Sequence, residues 1–149
     1  MPLASFLQRK LAPTFYGTAA TKYGLEHEQD ALSAYRDYCR KQGKAISIHP
    51  CGVVVDKCEP WLAASPDGLV RDPFNNEGET NGCVEVKCPI KCKSMTIPDA
   101  AKTDGFCLIF VNGVHSLSKT HAYYYQVQTQ LHVTKLQWCD FVVWSAQDL

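Results

Sequence analysis

Cys83-Val84-Glu85-Val86-Lys87-Cys88-Pro89 is the stretch on which the reading of this chain turns. Strand side chains point alternately to opposite faces, so Val84 and Val86 share one face while Glu85 and Lys87 share the other. An alternating amphipathic edge strand has the same pattern, and so does a strand that carries a site. Working upstream, residues 72–82 form a polar, Gly- and Asn-rich connection of hairpin type. Before it, residues 45–49, 52–56, 61–64 and 68–71 are short β-rich runs separated by Pro, Gly and polar clusters, a strand meander in which three or four strands pair. Further upstream, Leu25, Leu32, Tyr35 and Cys39 recur at +7, +3 and +4, which predicts a core-facing helix over 21–41 with Gly43 as its stop. Downstream, a short helix near 98–103, a strand over 106–111, a helix over 120–134 and a closing strand over 137–145 complete an α/β order of helix, strands, helix, strand.

The chain has 149 residues, the size of one ordinary domain, and its 46% hydrophobic and 20% charged residues are those of a globular protein. With no internal repeat and no long linker, residues 1–149 read as a single domain. Both ends look unfinished: few residues follow Phe141-Val142-Val143-Trp144, and the start holds no clear element, as in a segment excised from a longer protein. No apolar run is long enough to span a bilayer and no signal peptide is readable, so an intracellular location without membrane contact is expected. Lys plus Arg balance Asp plus Glu at 15 each, which excludes an overall basic field but leaves room for a local groove built from Lys87, Lys91, Lys93 and Lys102. With no secretory signal readable, the 8 cysteines are expected as reduced, mostly buried thiols, and Cys88 and Cys92 have no obvious partner pair with which to complete a zinc site.

Several polar residues stand where the pattern alone does not require them. Glu28 falls among the apolar positions of the first helix, whereas Glu26, His27 and Asp30 are expected to point away; it is either a stripe-edge residue reaching water or a group with a partner inside. Ser65-Pro66-Asp67-Gly68 places a carboxylate between two strand-like runs, either as an ordinary turn or as a ligand. Asp67 followed by Glu85 and Lys87 is an arrangement that can hold a divalent cation, with two oxygen ligands from neighbouring strands and an ammonium to orient water. Phosphodiester hydrolysis needs such a set, because an anionic in-line transition state must be neutralised while water loses a proton. In Tyr123-Tyr124-Tyr125-Gln126-Val127-Gln128-Thr129-Gln130-Leu131, Tyr123, Gln126 and Gln130 fall on one neutral polar face, exposed to solvent or turned to a site, with Val127 and Leu131 toward the core.

Taken in order, Gly24-Leu25-Glu26-His27-Glu28-Gln29-Asp30-Ala31, Ser65-Pro66-Asp67-Gly68, Val84-Glu85-Val86-Lys87-Cys88-Pro89 and the Tyr123–Leu131 run resemble the YqaJ-type viral recombinases, relatives of phage lambda exonuclease among the PD-(D/E)XK nucleases. The resemblance implies a restriction-endonuclease-like core, a mixed central sheet flanked by helices, and Mg²⁺- or Mn²⁺-dependent cleavage of DNA. It implies Asp67, Glu85 and the Val86 carbonyl as metal ligands, Lys87 as the group serving the water, and Glu28 and Gln126 as further catalytic residues. Tyr123, Lys91, Lys93 and Arg9 would contact DNA, with Ser5 and Lys10 as other stand-ins for end recognition. The implied function is a 5′→3′ exonuclease on double-stranded DNA ends serving recombination or viral replication, with a single-strand annealing protein and a homo-oligomer as further partners. A non-catalytic DNA-binding module and a structure-specific endonuclease are the alternatives on the same fold.

Overall fold

The computed structural model describes residues 17–75 and 78–147. Helix α1, Ala19–Lys41, starts at Thr18, whose hydroxyl accepts the Thr21 N–H at 3.2 Å and so satisfies one of the donors left free at a helix start. Its buried residues are Tyr23, Ala31, Leu32, Tyr35 and Cys39. The stripe is thus centred on a row spaced by four that also takes in His27, whose ring contacts Tyr23 and stacks on Trp144 with centroids 5.1 Å apart. Two expectations are corrected by this small rotation. Leu25 is 66% exposed rather than in the core, and His27 points inward rather than away.

A four-stranded sheet lies under α1. Strands β1 (Ser47–His49), β4 (Gly68–Arg71) and β5 (Asn81–Lys87) pair antiparallel, and β8 (Cys139–Val143) joins β5 in parallel, in the order β1-β4-β5-β8. This is the expected mixed sheet. Val70, Val84 and Val86 meet α1 and Trp144, and fully burying each valine contributes roughly 1.5–3 kcal/mol. Gly68 is required by space: a Cβ there would sit 2.7 Å from Ile48 Cγ2 and 3.2 Å from Val84 Cγ1, so close strand contact, not turn conformation, demands glycine.

The parallel step from β5 to β8 needs a long crossover. It contains a 3₁₀ turn (Ile90–Lys93), the one-turn helix α2 (Ile97–Ala100), a hairpin of β6 (Leu108–Val111) and β7 (Val114–Leu117), and helix α3 (Ala122–Thr134). A smaller core of Cys92, Ala100, Phe106 and Cys107 joins this crossover to Phe141 and Val143 on the second face of the sheet. Strand β7 and the 3₁₀ turn are additions to the sequence reading. Asn112 and Gly113, at φ 51° and 84°, form the two-residue turn that closes the hairpin. No helix among the described residues is long and apolar enough to cross a membrane. All eight cysteines are free thiols, five of them buried.

The second hairpin, β2 (Val54–Val55) with β3 (Ala63–Ala64), stands apart from the main sheet and is tied to the C-terminal end of α3. The tie is Asp56, 2% exposed, whose carboxylate accepts Lys135 Nζ at 2.7 Å and the N–H groups of Cys58 and Glu59 at 2.8 and 3.1 Å. The Lys135 hydrogen bond, and then those N–H groups, hold this carboxyl down at about 2. A carboxyl with a depressed folded-state pKa contributes stability that is present above its unfolded value of about 3.9 and is lost as the pH falls toward about 2. Asp56→Asn is therefore expected to lower Tm at neutral pH, and the gap from the parent should close as thermal melts are moved from about pH 4 to about pH 2. A gap that stays constant through that window would show that the ion pair contributes nothing.

Candidate active site

Strand β5 delivers Glu85 and Lys87 to the face opposite α1, toward α3. Glu85 is 1% exposed, and a carboxylate so deeply buried needs partners. It has three: Lys87 Nζ and Gln126 Nε2 both donate to Oε1, the latter at 2.6 Å, and Gln130 Nε2 donates to Oε2 at 2.6 Å. The polar face of α3 is therefore turned to β5 and not to solvent. Lys87 Nζ also lies over the Tyr123 ring, 4.7 Å from its centroid.

The antiparallel register pairing Gly68 with Val84 carries Asp67 beside Val86, whose N–H donates to Asp67 Oδ2 at 2.8 Å. That bond orients the carboxylate. Asp67, Val86, Lys87, Glu28, Tyr123 and Leu25 line one cavity of about 340 Å³ at the end of β5, walled further by Pro89 and Ile90. Glu28 and Leu25 reach it from the flank of α1, so the exposure of Leu25 and the position of Glu28 have a common cause. Glu85 does not itself line the cavity. A larger recess of about 750 Å³ between α1 and β8 is lined by none of the expected site residues.

Burial pushes the Asp67 carboxyl up to about 6; the Val86 N–H opposes this, the charges of Glu85 and Glu28 add to it, and Lys87 counters. Two carboxylates thus bear on Asp67 and one ammonium opposes them, so negative charge exceeds positive around it. The candidate donors are all hard oxygens, from Asp67 and Val86 in the cavity wall and from Glu85 beside it. Among the described residues no group of three His, Cys, Asp or Glu side chains could cage a metal alone. Two carboxylates and a carbonyl, with water and phosphate completing the shell, suit Mg²⁺ or Mn²⁺, which keep several waters and seldom take an all-protein cage. The residues present fit the ion.

Of the other candidates, Lys91 and Lys93 are exposed on the 3₁₀ turn that follows the cavity wall, and Lys91 Nζ donates to Thr103 Oγ1 at 3.3 Å. Lys102 pairs with Asp99 at 2.8 Å. Arg9, Ser5 and Lys10 lie outside the described residues. Gln130, four residues from Gln126 on the same polar face, is a further partner of Glu85 that the family resemblance does not supply.

A family model described as the YqaJ-like viral recombinase domain matches residues 4–137. The crystal structure of an alkaline exonuclease, LHK-Exo from Laribacter hongkongensis, is similar with a TM-score of 0.60 and 28% identity, covering 97% of this chain and 59% of that one. The structure of LHK-Exo in complex with dAMP is similar with a TM-score of 0.61 and 28% identity, covering 95% and 57%. An uncharacterized protein of Acanthamoeba polyphaga mimivirus is 30% identical over 101 residues, 65% of this chain and 16% of the viral protein. The chain thus spans less than two thirds of the length of each of these relatives. With the family match extending from residue 4 through α3 to residue 137, and the α/β fold shared with the exonuclease structures, the chain belongs to the YqaJ-like viral recombinase domain family.

Proposed function

We propose that this chain is a metal-dependent deoxyribonuclease domain, an exonuclease that shortens linear duplex DNA from its ends in the 5′→3′ direction. The observation that carries the reading is the charge of the cavity: Asp67 is half-buried in its wall, and the charges of Glu85 and Glu28 weigh on it, with Lys87 as the counter-charge that opposes them. A phosphodiester is itself anionic, so a cavity with this excess of carboxylate accepts one only together with a cation. A divalent ion held by Asp67, Glu85 and the Val86 carbonyl would neutralise the attacked phosphate and acidify water. Lys87 positions the attacking water with its ammonium, and Gln126, sharing Oε1 of Glu85, holds that carboxylate in place as Lys87 turns to its task. Glu28, which lines the same cavity from α1, accepts a proton of the same water.

Lys91, Lys93 and Arg9 contact backbone phosphates in this reading, and Tyr123 presents its ring edge to the strand. The 5′→3′ polarity rests on family membership. The dAMP of the LHK-Exo complex is a mononucleotide of the kind that end-wise cleavage releases. Resection from 5′ ends leaves 3′ single strands, which makes a single-strand annealing protein the natural partner.

The test is digestion of 5′-labelled linear duplex beside a covalently closed circle, with Mg²⁺ and with Ca²⁺. With Mg²⁺, the linear DNA should release labelled mononucleotides while the circle survives. Ca²⁺ should support binding without turnover, because its looser coordination holds phosphate and water less strictly in line. A cut circle would make the domain an endonuclease, and binding without cleavage of either DNA would make it a non-catalytic module.

A further inference from the structure

Gln130 is a glutamine in a position that the fold would fill with an apolar residue. It is 1% exposed on α3, whose other buried residues are Val127 and Val133, and its own Oε1 has no hydrogen-bond partner. A buried amide oxygen without a donor is destabilising, and methionine would fill similar volume without that cost. What the glutamine provides is the single bond from its Nε2 to Glu85 Oε2 at 2.6 Å. The other oxygen of Glu85 is shared by Gln126 and Lys87, and of these donors Lys87 lines the cavity. The two oxygens of one carboxylate therefore have different surroundings: Oε1 is linked to the cavity through Lys87, and Oε2 is fastened to a buried amide.

Resting on the nuclease reading above, we infer that Gln130 is a positioning residue that holds Oε2 of Glu85 so that this carboxylate meets a divalent cation through Oε1 alone. Denticity is what separates the candidate ions. Mg²⁺ and Mn²⁺ favour octahedral sites with short bonds to single carboxylate oxygens, whereas Ca²⁺ takes six to eight oxygens and accepts both oxygens of one carboxylate. Holding Oε2 to a buried amide resists the rotation that would bring both oxygens to one ion. Gln130 thus biases the site toward the smaller ions, a selectivity set from outside the ligand shell.

The experiment is calorimetric titration of the metal-free protein with Mn²⁺ and separately with Ca²⁺. It compares the parent with Gln130→Met, which cannot donate, and Gln130→Asn, which is one methylene too short. Val133→Ala, a core truncation on the same helix, is the control for general loosening. Both Gln130 variants should lose about 10–100-fold in Mn²⁺ affinity while Ca²⁺ affinity holds or rises, so the ratio of the two falls at least about tenfold. Val133→Ala should lower Tm and leave the ratio unchanged. A parent-like ratio in either Gln130 variant that retains the parent circular dichroism spectrum overturns the inference, as does an equal shift in Val133→Ala. A parent protein that binds neither ion and cuts no DNA defeats the nuclease reading itself, which is a distinguishable result.

Discussion

Glu85→Gln and Asp67→Ala are each expected to abolish Mg²⁺-dependent cleavage, with a loss of about 10³-fold or more. Losing a cation ligand removes several kcal/mol of transition-state charge stabilisation, and each factor of ten in rate is about 1.4 kcal/mol. The choice of substitution follows from the surroundings. Glu85→Ala would leave Lys87, Gln126 and Gln130 facing a void, so lost activity and lost structure would be confounded. Glutamine keeps the shape and one acceptor. Asp67 accepts one bond, from the Val86 N–H near the end of β5, so alanine there removes a carboxylate from the cavity wall and unpairs one donor rather than three. DNA affinity should hold or rise in both variants, because a negative charge opposing the phosphates has gone. Either variant, folded and cleaving within tenfold of the parent, would remove its residue from the metal site.

The sequence spoke most clearly where one physical requirement dominated. The period of two in Val84-Glu85-Val86-Lys87 fixes which side chains meet α1 and which meet α3, and the two faces are divided in that way. Pattern was less informative where two requirements overlapped. Leu25 and Glu28 share a flank of α1 that borders both the core and the cavity, so a helical wheel that assigns Leu25 to the core carries Glu28 with it. Gly68 resembles a turn glycine after Pro66-Asp67, yet the side chains of Ile48 and Val84, contributed by β1 and β5, are what exclude a Cβ, and no local motif encodes them. The hairpin of β6 and β7 has a local signal, since Asn112-Gly113 between Val111 and Val114 favours a two-residue turn. Gln130 was hidden for a different reason. Its face was readable from spacing, but its value depends on which oxygen of Glu85 it reaches, which only the assembled sheet and helix determine.

Lys87 distinguishes catalysis from the holding of charge, and the three donors around Glu85 make that distinction measurable. If Lys87 only balanced Glu85, its loss would disturb a carboxylate still held by Gln126 on Oε1 and Gln130 on Oε2, and metal affinity would be the property that moved. If it serves the water, Lys87→Met should cut kcat by about 10²–10⁴-fold with Mn²⁺ affinity and KM for DNA nearly unchanged, the range for a general acid–base group. Methionine is the informative choice because it keeps an unbranched stem beside Tyr123 while removing the ammonium. Lys87→Arg should not restore the rate. Its guanidinium stays protonated and points its donors in a fixed fork, so it can pair with Glu85 yet cannot replace a compact ammonium that turns between Oε1 and a water. Full activity in Lys87→Arg would mean that any cation suffices at this position, and parent-like kcat in Lys87→Met would leave Lys87 as no more than the counter-charge of Glu85.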